Sequence, residues 1–138
     1  MTPKSYESAL LALRSYQAAK SDDIMELLCV ACVFRNRVFR YGKTYSQVLE
    51  QAEINRGWPS IQNPVLTNPN DGLFVKIEEI YSGNAPDYSS NHNFKDGALW
   101  FCDIMQHQGT GDWFETEILM KPEEHPLIGK FGNQWFYA

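Results

Sequence analysis

Two thiols at Cys29-x-x-Cys32, three histidines at 92, 107 and 125, and acids at Asp22, Asp23 and Glu26 are the residues of this chain that could carry chemistry. A metal-holding Cys-x-x-Cys pair needs a second ligand pair, and none stands beside it. It lies inside an apolar run, so its cysteines read as small core residues, and Cys102 stands alone in the sequence. His92, His107 and His125 share no ligand spacing and fall in segments expected to be loops. No metal site and no cofactor motif follow from them. The acids come directly after Ser21, a good helix N-cap, and carboxylates in a first turn suit the positive end of the helix dipole. On that reading Asp22 is held ionised and Glu26 is a solvated first-turn acid. Protonating a leaving group needs the opposite state, so Asp22 is a weak proton donor; Glu53 is the other carboxyl weighed for that task.

The element that must position these residues runs from about Ile24 to Val38. Ile24, Leu27, Leu28, Ala31, Val33 and Phe34 cover most of a helix circumference, the pattern of a helix buried on most sides. A first helix over residues 5–19 carries an apolar stripe of Leu10, Leu11, Leu13 and Tyr16 beside Glu7, Arg14 and Gln17, and packs on the second through the Lys20-Ser21 turn. Arg35, Arg37 and Arg40 suit the negative end of the second helix, which Gly42 closes. Thr44-Tyr45-Ser46-Gln47 is a capping box and predicts a third helix through Val48, Leu49 and Ala52. Residues 55–70, with prolines at 59, 64 and 69, are expected to be loop. Residues 70–82 predict a fourth helix on Ile77, Ile80 and Tyr81, ending at Gly83; Leu99-Trp100-Phe101 predicts a short buried strand. Trp113 to Met120 alternates and reads as another strand.

Several of these stretches, taken in order, resemble the SleB-type cell-wall hydrolase family. Tyr16, Ala19, Lys20 and Asp22, then a small-and-valine helix ending in Asn36-Arg37-Val38, keep that family's spacing without a gap. Further on come Gly83-Asn84-Ala85-Pro86-Asp87, then Gly97-Ala98-Leu99-Trp100-Phe101, and finally Phe131-Gly132-Asn133-Gln134-Trp135-Phe136-Tyr137. The resemblance implies an α+β, mostly helical, lysozyme-like or transglycosylase-like single domain, with a small β hairpin and a groove for a glycan strand. It also implies where the chain departs from the family. Ser21 replaces a glycine, and Ala18 stands where the family carries its catalytic glutamate. Cys102-Asp103 replaces a polar His-Asn pair, Gln134 replaces a histidine, and Glu53-Ile54-Asn55 is a poor match to a Gln-Phe-Ser-like groove element. An alanine can neither give nor take a proton, so cleavage by the family's route is lost.

The expected function is therefore a catalytically degenerate cell-wall-hydrolase-like module, a structural or binding part of a phage virion or tail. The alternative is an active hydrolase or lytic transglycosylase with a relocated acid, Asp22 or Glu53, or with substrate assistance; between the two stands glycan binding without cleavage, with Trp58, Trp100 and Tyr137 stacking on sugars. Partners would be a peptidoglycan glycan strand or other virion proteins, met through Trp58, Trp100, Cys102, Asp103, Gln134 and Tyr137. The segments 55–70 and 88–94 are the expected docking loops, with Trp58 as anchor.

Composition agrees with one packed domain. The chain has 138 residues, a formal net charge of -5 and 14% aromatic residues, enough for one core and for flat apolar or sugar-like ligands. Its twelve Lys and Arg are scattered, which argues against a nucleic-acid surface. Residues 1–4 begin no signal-peptide core, and no apolar run approaches the ~20 residues of a membrane span. The expectation is synthesis in a cytoplasm and delivery to a wall by an assembly.

Overall fold

A computed structural model describes residues 6–19, 24–59, 71–89, 97–132 and 134–138. The chain is α+β and mostly helical: α1 (Tyr6–Ala19), α2 (Ile24–Tyr41), α3 (Tyr45–Arg56), α4 (Asp71–Ser82), β1 (Trp100–Cys102), α5 (Ile104–His107), a π-helical turn (Glu115–Leu119), β2 (Leu127–Phe131) and β3 (Gln134–Tyr137). The expected start of α2 at Ser21, with Asp22 and Asp23, lies outside the described residues.

The second helix is the post on which the rest is hung. Every residue from Glu26 to Asn36 is buried, and α1, α3, α4, β1 and β2 all pack on it. Each fully buried Leu or Phe here contributes about 1.5–3 kcal/mol relative to exposure. Two expectations for this helix need correction. Ile24 is exposed, because the buried stretch begins two residues later. Glu26 is 0% exposed and no solvated acid. Its carboxylate lies against Gly132, where an added Cβ would overlap it, so the turn between β2 and β3 is shaped around this side chain. Gly132 has φ +60, a region only glycine enters at no cost.

The helix ends follow the local chemistry. Gly42 takes φ 63 and the Lys43 N–H reaches back to the Val38 carbonyl at 3.1 Å, a Schellman closure. Thr44 and Gln47 make both halves of the capping box on α3. Gly57 closes α3 in the left-handed conformation, and the Trp58 N–H returns to the Glu53 carbonyl at 2.9 Å. Trp58 is thereby turned back toward the domain.

Arg14, expected on the polar face of α1, is 0% exposed. Its guanidinium donates to Glu53 Oε1 at 3.0 Å, to Gln17 Oε1 at 2.7 Å and to the Pro59 carbonyl at 2.6 Å. A buried charge needs such partners, and they lie up to 45 residues away in sequence. Glu7 likewise ties α1 to its neighbours, accepting from Ser46 N–H and Oγ, each at 2.8 Å, and from the Tyr81 hydroxyl at 2.9 Å. Burial pushes its pKa up, but these three bonds outweigh burial and hold it below the usual value.

The expected hairpin is present as β2 and β3, and β1 joins it to make a three-stranded antiparallel sheet in the order β1-β3-β2. Trp100 faces Tyr137, Phe101 faces Phe136 and Cys102 faces Trp135 across the first pair. Residues 113–120 form no strand. Asp112 Oδ1 accepts from the Glu115 N–H at 2.8 Å, and the Glu115 carboxylate reaches back to the N–H groups of Gly111 and Gly109. Asp112-x-x-Glu115 is a helix-start signal that outranks the alternation.

Candidate functional site

Asn36 is the joint that shapes the site. Its side-chain amide donates to Asp87 Oδ2 at 2.9 Å, to the Ala98 carbonyl at 3.0 Å and to Ser89 Oγ at 3.4 Å. Asp87 Oδ1 in turn accepts from the Ser89 N–H and hydroxyl, and Ser89 Oγ accepts from the Ala98 N–H at 3.0 Å. Gly97 passes so close to Asp87 and Asn36 that any Cβ would collide with both. Three motifs far apart in sequence are thus one buried knot, and from it β1 leaves in a fixed direction. Arg37, the next residue, donates Nε to the Leu99 carbonyl at 2.7 Å and lies over the Trp100 ring at 5.0 Å.

Between this knot and the end of α3 opens a groove of about 760 Å³. Ala18, Trp58, Trp100, Cys102, Asp103 and Gln134 all line it, six positions picked from the sequence that are brought to one place. The seventh, Tyr137, is not in the groove. It is buried beside Cys102 and Ile118 in a second small apolar cluster, because β3 alternates and turns this residue to the other side of the sheet from Phe136. Burial pushes its hydroxyl up to about 12. Gln134 makes a long contact of 3.5 Å from its amide to the Ala18 carbonyl, closing the floor of the groove.

The carboxyls weighed as substitute acids fare differently. Asp22 lies outside the described residues. Glu53 faces α1, bound to Arg14 with 2.8 Å to Nη2, and does not line the groove. Among the described residues, the carboxylates that do line it are Asp103 and Asp112. Asp112 is held below the usual carboxylate range by the Glu115 N–H and by His107, whose Nδ1 lies 2.6 Å away. It is therefore an acceptor at neutral pH and unsuited to donating a proton.

Sequence reasoning missed Arg37, Arg56, His107 and Trp113 as groove residues. His107 belongs to no loop: it ends α5 and its ring packs on Phe114 at 4.9 Å. His125 lies in a turn, with the Trp100 ring edge 5.9 Å away, and His92 is outside the described residues. Trp58 is half-buried, flanked by the Arg14 and Arg56 guanidiniums at 5.2 Å each, and is a wall of the groove where a projecting anchor was expected. Of the two loops expected to dock partners, residues 60–70 and 90–94 lie outside the described residues.

Burial dominates the titration of the site. It lowers the Arg37 pKa to about 10 and lowers that of Arg56, and it pushes the thiols of Cys32 and Cys102 up to about 12. Cys102 is also raised by Asp103 and Asp112. All three cysteines are buried, and Cys29 donates to the Tyr88 carbonyl at 3.3 Å. Cys32 and Cys102 are neutral packing groups at physiological pH. Among the described residues no cluster of His, Cys, Asp and Glu has the form of a metal site. No helix among them is long and apolar enough to cross a membrane.

No family model matches the chain, and no curated protein or solved structure matches it either.

Proposed function

We propose that the chain is a cell-wall-hydrolase-like module of lysozyme-like architecture that holds a glycan strand without cleaving it. The observation that carries the reading is Ala18 on the floor of a groove walled by Trp58, Trp100 and Trp113. Aromatic walls offer flat faces to pyranose rings, and the polar groups between them can pair with hydroxyl and amide groups. What the groove lacks is a carboxyl able to remain protonated at the position that the resemblance assigns to the acid. Glycosidic cleavage requires such a group on the leaving oxygen. The Asn36 knot supports the same reading, since the motifs shared with the family are those that build the groove. Retained scaffold and altered cleft chemistry are what a retired active site leaves behind. The setting, a part of a phage virion or tail that touches the wall, rests on the family resemblance.

The test is co-sedimentation of the purified protein with isolated peptidoglycan, with muropeptide analysis of the supernatant, run beside Ala18→Glu. The expected result is binding without released fragments for the unmodified protein, and released fragments from the variant. Cleavage by the unmodified protein would refute the reading and favour the relocated-acid alternative, with Asp22 as the first residue to replace.

A further inference from the structure

The groove that is proposed to hold glycan contains two guanidinium groups whose positions ask for a negative charge. Arg37 spends its Nε on the Leu99 carbonyl and stacks over Trp100, leaving its terminal NH2 pair uncommitted to any carboxylate among the described residues. Arg56 is exposed as a residue, while its guanidinium is shielded by the Phe101 ring at 4.8 Å and the Trp58 ring at 5.2 Å. Both line the same cavity. Neither takes part in an ion pair among the described residues, where the pairs are Arg14 with Glu53, His107 with Asp112 and Lys121 with Glu117. Of the two groove acids among the described residues, Asp112 is engaged by His107 and the Glu115 N–H, and Asp103 makes no ion pair with either guanidinium.

Two like charges in one partly desolvated groove repel, and Arg56 indeed depresses the Arg37 pKa further after burial has done so. Such an arrangement is relieved when a carboxylate enters. A guanidinium presents parallel N–H donors that match a carboxylate in the plane of the fork, and an aromatic face beneath it holds that plane fixed.

We infer that the groove selects an acidic glycan, binding a carboxylate on the saccharide strand between Arg37 and Arg56 while the exposed Trp113 ring meets a neighbouring sugar. This rests on the glycan-holding reading above. In a peptidoglycan strand such a carboxylate has two sources: the lactyl ether of a muramyl residue freed of its peptide, or the acidic groups of the stem peptide.

The experiment measures affinities by titration calorimetry for four saccharide probes: an N-acetylglucosamine tetramer, a glycan fragment stripped of peptide, the same fragment with its carboxylates converted to methylamides, and a fragment with stem peptides. The stripped, carboxylate-bearing fragment is expected to bind ~10-fold tighter than its methylamide, the scale of one charge-assisted contact, with the preference shrinking in added salt. Arg56→Gln should remove the preference and Arg56→Lys keep part of it; an unchanged melting temperature shows that the fold is intact. Equal binding of acid and methylamide with no gain for the peptide-bearing fragment, or a preference that survives Arg56→Gln, overturns the inference and leaves glycan holding standing. A preference confined to the peptide-bearing fragment assigns the carboxylate to the stem and overturns the lactyl source. Failure of all four probes to bind overturns the glycan-holding reading as well.

Discussion

Replacing Asn36 with alanine tests whether the knot, and with it the groove, is held by one side chain. The amide is 8% exposed and supplies donors to Asp87 Oδ2 and the Ala98 carbonyl, with Ser89 Oγ more distant. Removing it leaves a carboxylate oxygen and a backbone carbonyl short of a donor, at about 1–3 kcal/mol per stranded group. With partial compensation by Ser89, the loss should be about 3 kcal/mol. For a chain of 138 residues that is a fall of roughly 10 °C in melting temperature. Differential scanning calorimetry reads it directly. Asn36→Asp sharpens the test, because it keeps the shape and sets a second carboxylate against Asp87. One of the two acids then has a folded-state pKa raised by its neighbour, so this variant is expected to lose more than Asn36→Ala at pH 7 and to recover as the pH falls toward 4. A drop below about 2 °C for Asn36→Ala, or no pH dependence for Asn36→Asp, would refute the argument.

Two further outcomes follow from charges that tie α1 to its neighbours. Glu7 has a depressed pKa, so its three hydrogen bonds contribute stability that is present above its unfolded value of 4.5 and is lost as the pH falls through the folded value. Urea unfolding of Glu7→Gln should accordingly show a shallower loss of stability below pH 4.5 than the unmodified protein; parallel curves would contradict it. Glu53→Ala strands the Arg14 guanidinium in the core. Arg14 keeps Gln17 and the Pro59 carbonyl, so the expected cost is about 3 kcal/mol, the lower end for a broken buried pair. A change under 1 kcal/mol in urea unfolding would show that Arg14 finds water instead.

The helices could be read from the sequence because their signals are local. Thr44 and Gln47, Gly42 and Gly83 act within one turn of where they stand, and the structure places helix starts and stops there, whereas α3 runs on to Arg56, two residues into the stretch expected to be loop, and ends at Gly57. Residues whose role depends on distant partners were misjudged. Arg14 and Glu26 have side-chain types that read as surface, yet both are buried: Arg14 by Glu53 39 residues on, Glu26 against the Gly132 turn. Periodicity reports side-chain character and is blind to such pairings. The strand expected at residues 113–120 failed for a nearer reason, since Asp112 and Glu115 spell a cap that the alternation masked. The groove was legible in part. Ala18, Trp100, Cys102, Asp103 and Gln134 stood in or beside recognisable motifs and Trp58 was picked as a loop aromatic, whereas the groove role of Arg37, Arg56 and the His107–Asp112 pair appears only once α2, α3 and the segment after β1 are brought together.

The contact between Gln134 and Ala18 spans 116 residues, and the Asn36 contacts span 51 to 62. Closing loops of that length is slow compared with pairing α1, α2 and α3, whose partners lie near one another along the chain. The helical post is therefore ready before the groove exists. The floor closes only when the last strand brings Gln134 to Ala18, so the groove is completed at the end of folding and a partly unfolded chain lacks it.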